Sequence, residues 1–359
     1  MARLLTTGFE LEELIEHNGS VIRTLSAASH QIQSTLKRTG NYAWYIDCRS
    51  TPTNGFICCT HTINEVSELY ARIAIYVSRN DGSSSNVQNF LSLFYFTNNQ
   101  LFLGLRSDDM RLRVGYGSGE LGQTSPTVVA TGNVTITYNN WYVVELHVAI
   151  SGAYYEGSVK VNGVTDFTFA FSRGDGSPYI NIIKFGFNGA GTMKGCDIYL
   201  DDIAINDTTG DYQNSWPGTG GVYLLKPNGE GTVQQWTPSE GTVHYTLVDE
   251  IPKNTTDWVY DQISGHVELF ALEDLPSEVT SVQLVEVVYQ AALAEAGVND
   301  IRDVIRHNGN NYSGTTEAVA TVAPNYKLYK GQTRYIEAGG TLPWTPAQVN
   351  ALEAGIEIP

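Results

Sequence analysis

Trp141-Tyr142-Val143-Val144-Glu145-Leu146-His147-Val148-Ala149-Ile150 is the stretch on which the fold turns. From Glu145 to Val148 polar and apolar residues alternate, which sets Glu145 and His147 on one face of an extended chain and Leu146 and Val148 on the other. A strand with one apolar face needs a second apolar layer to cover it. His147 is expected to face solvent or a neighbouring partner, and Trp141 is read as a core anchor. Next comes Glu156-Gly157-Ser158-Val159-Lys160-Val161-Asn162-Gly163-Val164. Asn162 and Gly163 both tolerate positive φ, so together they signal a two-residue type I′ hairpin.

The same texture extends outward in both directions. The 35 glycines, 21 tyrosines, 12 phenylalanines and 6 tryptophans are spread over short segments separated by Asn, Gly and Ser, as in an all-β chain. Strands are predicted at 42–48, 69–78, 89–96, 101–106, 110–116, 134–137, 141–150, 155–161, 165–171, 179–187 and 196–205, enough for two sheets. Turn formers crowd 206–221 with few apolar anchors, so the organisation reads as a sandwich over 1–207, a linker over 208–220 and a second β-rich domain over 221–359. In that second part strands are predicted at 221–225, 243–247, 267–271, 279–293, 301–306 and 327–336. The 279–293 stretch is contested, because Val285 to Ala296 ends in helix-favouring Ala-Ala-Leu-Ala-Glu-Ala, whereas its valines crowd a helix and suit a buried strand. One short helix is predicted near the C-terminus, with Thr345 as cap, Pro346 at the first helical position, Gln348 at the third and Gly355 as the stop.

Charge narrows the partners. The chain carries 21 basic and 38 acidic residues, a net −17, which opposes nonspecific binding to nucleic acid or an anionic membrane. The acidity is uneven: 14 basic against 18 acidic residues up to Asn206 (net −4), and 7 against 20 beyond it (net −13). Neither a run of about 18 apolar residues nor an apolar signal segment after Met1-Ala2-Arg3-Leu4-Leu5 is present, so membrane insertion is not expected. Cys48, Cys58, Cys59 and Cys196 lack the paired spacing of a zinc site and read as buried thiols, a disulfide being the other choice. The seven histidines are scattered, and Gly115-Tyr116-Gly117-Ser118-Gly119 reads as a turn rather than a phosphate loop.

Four segments together, Thr7-Gly8-Phe9-Glu10, Asn140 to Leu146, Gly157 to Gly163 and Tyr199-Leu200-Asp201-Asp202-Ile203-Ala204-Ile205-Asn206, resemble a concanavalin A-like lectin/glucanase jelly roll of the laminin-G type, over roughly residues 1–207. The continuation, with Leu225 to Gly231, Gln235-Trp236-Thr237-Pro238, Val248 to Pro252, Asp257-Trp258-Val259 and Pro343-Trp344-Thr345 to Ile356, is similar to tailed-bacteriophage virion proteins in which such a domain precedes a second, mostly β domain. The resemblance implies a noncatalytic virion structural protein, tail or fibre associated, that attaches multivalently to host-surface glycans as a homo-oligomer among other virion proteins. Capsid decoration or stabilisation is the alternative, and a glycan-degrading enzyme the second.

The enzyme reading asks for a carboxylate pair across a sugar. The nearest acidic group is Cys196-Asp197-Ile198-Tyr199-Leu200-Asp201-Asp202, and strand geometry sets Asp197 and Asp201 about 13 Å apart, too far for a simple pair, so no catalytic residue is assigned. Asp201 and Asp202 are the candidates for a calcium ion, though a regular strand would point them to opposite faces. Glycan recognition needs aromatic faces with amide or carboxylate edges. The candidates are Asn80, Asp81 and Asn86 in one loop, Tyr116 beside another, and Tyr154 and Tyr155 at a hairpin. Trp236, Trp258 and Trp344 are the candidate core or interface anchors of the second part.

Overall fold

A computed structural model describes residues 3–14, 20–25, 29–47, 56–80, 87–117, 127–174, 176–187, 196–297 and 299–359. The structure is mostly β, with several sheets and one short C-terminal helix. It divides into two compact units, Met1–Val222 and Tyr223–Pro359.

The first unit is built from β1 (Arg3–Thr7), β2 (Ser20–Leu25), β3 (Ser29–Gln33), β4 (Ala43–Asp47), β5 (Phe56–Val66), β6 (Glu68–Asn80), β7 (Val87–Tyr95), β8 (Asn98–Arg106), β9 (Arg111–Tyr116), β10 (Thr127–Thr135), β11 (Trp141–Ser151), β12 (Tyr154–Val161), β13 (Val164–Ser172), β14 (Ile180–Phe187) and β15 (Cys196–Asn206). One sheet runs β13-β12-β11-β6-β15-β4-β3, with β1 also pairing β15; the other runs β10-β9-β8-β7-β14-β5-β2. Their inner faces close on one core that joins Trp44, Ile75, Leu146 and Leu200 of the first sheet to Ile57, Leu93, Leu103 and Phe185 of the second. Each such side chain contributes roughly 1.5–3 kcal/mol on burial, so the sandwich is held mainly by this layer.

The predicted hairpin forms: β12 and β13 join through Asn162 and Gly163, both at positive φ (51° and 82°), and Asn162 is tied to Val143 by both its backbone N–H and its side-chain oxygen. The strands predicted from 42 to 205 each overlap an observed one, whereas β1, β2, β3 and β5 were not anticipated. Cys58 and Cys59 are buried, the Cys59 thiol donating to the Leu14 carbonyl (3.5 Å); Cys48 lies outside the described residues.

The second unit contains β16 (Pro227–Gln234), β17 (Thr237–Pro238), β18 (Val259–Tyr260), β19 (Val267–Leu272), β20 (Val288–Ala291), β21 (Asn299–His307), β22 (Asn310–Val319), β23 (Lys327–Lys330), α1 (Pro346–Asn350) and β24 (Glu353–Glu357). Its main sheet is β16-β19-β24-β21-β22. Thr345 caps α1 in a full capping box with Gln348, and Pro346 opens the helix, as the sequence requires. The stop differs: Ala351 closes the helix, and Gly355 lies inside β24, where a Cβ would come within 1.8 Å of the Glu268 carbonyl oxygen.

Three predicted strands are corrected. Residues 221–225 are irregular, and 243–247 contain a single 3-10 turn, Tyr245–Leu247. Over 279–293 the one strand is β20, flanked by isolated bridges from Val285 to Arg334 and from Leu293 to Val322. Val282, Val285 and Val287 instead pack against the Trp344 cluster, so their apolar surface is covered without a continuous ladder. Trp236 and Trp344 are core residues, 8% and 2% exposed, whereas Trp258 is 40% exposed. Buried charge here is paired: Arg334 Nη1 lies 2.5 Å from Asp303 Oδ2 and His244 Nδ1 2.7 Å from Glu268 Oε1. Burial raises the Glu268 pKa despite its hydrogen bonds from Trp236 and His244.

Candidate functional site: the outer face of the larger sheet

Alternation along β11 sends Trp141, Val143, Glu145 and His147 outward, and the register places Tyr76, Ala74, Arg72 and Tyr70 of β6 opposite them. The outer face so formed has two halves. Across one half runs the irregular segment 208–222, read from sequence largely as a linker and packed here within the first unit. Its Trp216 sits edge-on to Tyr70 (5.4 Å) and His147 (5.9 Å), with Lys160 Nζ 3.8 Å from its ring centroid. His147 stacks on Tyr70 at 4.3 Å and meets Glu68 through Nε2 at 2.8 Å. The backbone N–H of Gly218 donates to the buried Glu145 carboxylate (2.8 Å).

Asp201 and Asp202 lie under this strap, both fully buried. Asp202 takes positive φ (52°) at a register shift in β15, so the regular-strand expectation of opposite faces does not apply. Its Oδ2 meets Arg38 Nη1 at 2.6 Å, and its Oδ1 accepts from Thr39 Oγ1 (2.6 Å) and the Val222 N–H (2.7 Å). Arg72 donates through Nε to the Asp202 carbonyl (2.8 Å). Asp201 accepts from the backbone N–H groups of Arg38 (2.8 Å) and Asp202 (2.7 Å). Burial and the adjacent Asp202 nevertheless push its pKa up to about 9. A calcium ion needs oxygens turned inward on it; both carboxylates here are turned onto N–H and O–H donors and a guanidinium. Among the described residues no group of three or more His, Cys, Asp or Glu is placed to hold a metal ion.

The other half carries an aromatic row. Tyr45 of β4, Tyr199 of β15, Tyr76 of β6 and Trp141 of β11 are in mutual register on four adjacent strands. Ring centroids lie 4.8 Å apart for Tyr45–Tyr199, 5.6 Å for Tyr199–Tyr76 and 5.4 Å for Tyr76–Trp141, with interplanar angles of 39°, 86° and 52°. All four are half-buried, and the exposed Gln31 of β3 continues the row beyond Tyr45. Tyr76 Oη donates to Asn139 Oδ1 (3.2 Å).

The structure thus takes Trp141 out of the core and places it on the outer face. Its parity with Glu145 and His147 carries that information; the strands that would flank it do not follow from sequence, so Tyr45, Tyr76 and Tyr199 were missed. Of the glycan candidates, Asn80 ends β6 four residues beyond Tyr76, while its side chain, Asp81 and Asn86 lie outside the described residues. Tyr155 is fully buried, stacked on Phe171 at 5.0 Å with its hydroxyl on the Ser177 carbonyl; it is a core residue, because β12 turns it inward. Tyr116 stacks on the same Phe171 at 5.2 Å, with the Arg173 guanidinium 5.1 Å from its ring. Tyr154 is 43% exposed at the hairpin end. Of the described candidates, Tyr155 is buried and shares no exposed face with Tyr154.

No protein-family model matches the chain, and no curated protein matches it. Among solved structures the chain is similar to Cellulose induced protein, Cip1 (16% identity, TM-score 0.44, covering 60% of this chain and 100% of that one). It is also similar to the CBM2 module of the Lactobacillus casei BL23 phage J-1 evolved Dit (12%, TM-score 0.39, 57% and 95%) and to HCR/D-Sa-GBL1/C (12%, TM-score 0.40, 90% and 78%). Overlaps at these scores say nothing of a ligand.

Proposed function

We propose that the chain is a noncatalytic structural protein of a phage virion, tail or fibre associated. In this reading its first unit is a concanavalin A-like jelly roll that holds host-surface glycans across Tyr45, Tyr199, Tyr76 and Trp141. The virion location rests on the sequence resemblance; the aromatic row carries the binding reading. Sugar rings have apolar faces and hydroxyl edges, so half-buried phenol and indole faces in a row, with an exposed amide at one end, suit them. Repeated copies in a particle would turn weak single contacts into firm attachment.

The test is an array of bacterial surface polysaccharides probed with the full chain and with Tyr199→Ala and Tyr76→Ala. Saturable binding that both substitutions weaken, without substrate cleavage, supports the reading. Binding that ignores both substitutions, or glycan turnover, overturns it.

A further inference from the structure

We infer that the aromatic row takes a single hydrated chain of neutral glycan laid across the strands, in preference to an anionic glycan or a crystalline polysaccharide surface. This deepens the glycan-binding reading and rests on it.

Direction and length come from the register. The four rings belong to four neighbouring strands, and three strand spacings amount to about 14 Å. A single sugar ring does not span that length, whereas a short oligosaccharide does. The strap crosses the same sheet through Trp216, Gly218 and Val222, so the face is closed on that side. The ligand axis therefore runs with the row, from Trp141 toward Gln31.

The physical state of the ligand follows from the ring planes. A crystalline polysaccharide face is flat and needs coplanar rings beneath it. Successive planes here turn by 39°, 86° and 52°, on a sheet whose strands already twist by roughly 20–25° each. A chain in solution can rotate about its glycosidic bonds to meet rings that change orientation; a crystal face cannot.

Neutrality follows from what flanks the row. Its own groups are phenols, an indole and the Gln31 amide, none of them charged at neutral pH. Two residues along from Tyr45 and Tyr199 the register pairs Asp47 with Asp197, and the row itself supplies no cationic group. An anionic sugar would gain no counter-charge from the row.

Titration of the full chain distinguishes these possibilities. The probes are neutral gluco- and manno-oligosaccharides of increasing length, a polyuronic acid, and microcrystalline cellulose. Affinity for a neutral series that rises with length and then levels off, and that falls about tenfold in Tyr76→Ala, is the expected result. The folded control is Tyr179→Ala, which removes an exposed ring just before β14 in the other sheet, outside the row, and should retain binding. Row-dependent binding to the polyuronic acid or to the crystalline polymer alone overturns this inference and leaves the attachment reading standing. Absence of binding to all probes and to the polysaccharide array overturns both, as does binding that Tyr76→Ala and Tyr199→Ala leave unchanged.

Discussion

The two halves of the outer face are supplied by the same strands and chemically have little in common. β6 gives Arg72 to one half and Tyr76 to the other; β11 gives Glu145 and Trp141; β15 gives Asp202 and Tyr199. Under the strap lie buried charges, held in pairs and hydrogen bonds. Along the row lie half-buried uncharged rings. An unpaired ion under the strap would be expensive, so every charge there comes with its partner. The carboxylates that look most chemical in the sequence are thereby committed to holding a segment of chain. The tyrosines that look ordinary are the ones set in a line.

The contrast breaks most readily at Asp202. Removing its carboxylate leaves Arg38 without its counter-ion and the Val222 N–H and Thr39 hydroxyl without their acceptor. Asp202→Ala should destabilise the first unit by about 3–5 kcal/mol, the range for breaking one side of a buried pair. Alanine also tolerates the positive φ poorly, so Asp202→Asn, which keeps that backbone preference, isolates the charge and should cost less. Urea unfolding followed by tryptophan fluorescence measures both. A loss below 1 kcal/mol for both variants would mean that the strap is not held by this pair, and the division of the face would lose its physical basis.

A smaller effect is expected at Trp216. Its ring meets Tyr70, His147 and Lys160, contacts worth about 0.5–1.5 kcal/mol each for aromatic pairs and about 0.5–1 for an exposed cation–π pair. Trp216→Ala should therefore cost about 1.5–4 kcal/mol of stability and leave oligosaccharide affinity unchanged. A matching fall in affinity would show that the strap and the row form one site, which would erase the comparison.

Much of this architecture was legible beforehand, and the parts that were not share a cause. Periodicity and turn chemistry are local: they located β11, the Asn162-Gly163 turn and the Thr345 capping box, because each is specified within a few residues. The alternation in β11 even contained the outward placement of Trp141, which its size made easy to mistake for a core anchor. Tyr45, Tyr76 and Tyr199 lie far apart in sequence, and only the β4-β15-β6-β11 order makes them neighbours. The 208–222 strap is hidden from the sequence for a related reason. It is rich in turn formers because it has no ladder of its own, and its anchors, Glu145 and Asp202, sit on strands distant in sequence. The valines at 282, 285 and 287 show the converse, apolar side chains half-buried against the Trp344 cluster with almost no pairing.

The finest test concerns Asp201, where two effects oppose. Burial and the neighbouring Asp202 favour its neutral form, while backbone N–H groups of Arg38 and Asp202 favour its charged form. With its pKa pushed up to about 9, the folded protein keeps a proton that the unfolded chain, with an ordinary aspartate pKa of about 3.9, gives up. Between those values the folded state binds more protons than the unfolded one, so this group's contribution to stability falls as pH rises through the window. Asp201→Asn cannot titrate. Its melting temperature should start lower, because the amide presents an N–H to donors, and should then change less steeply than the wild type from acid to mildly alkaline pH. Parallel slopes would mean that the backbone donors outweigh burial and that Asp201 is ionised throughout, which would make the covered half a fully charged network.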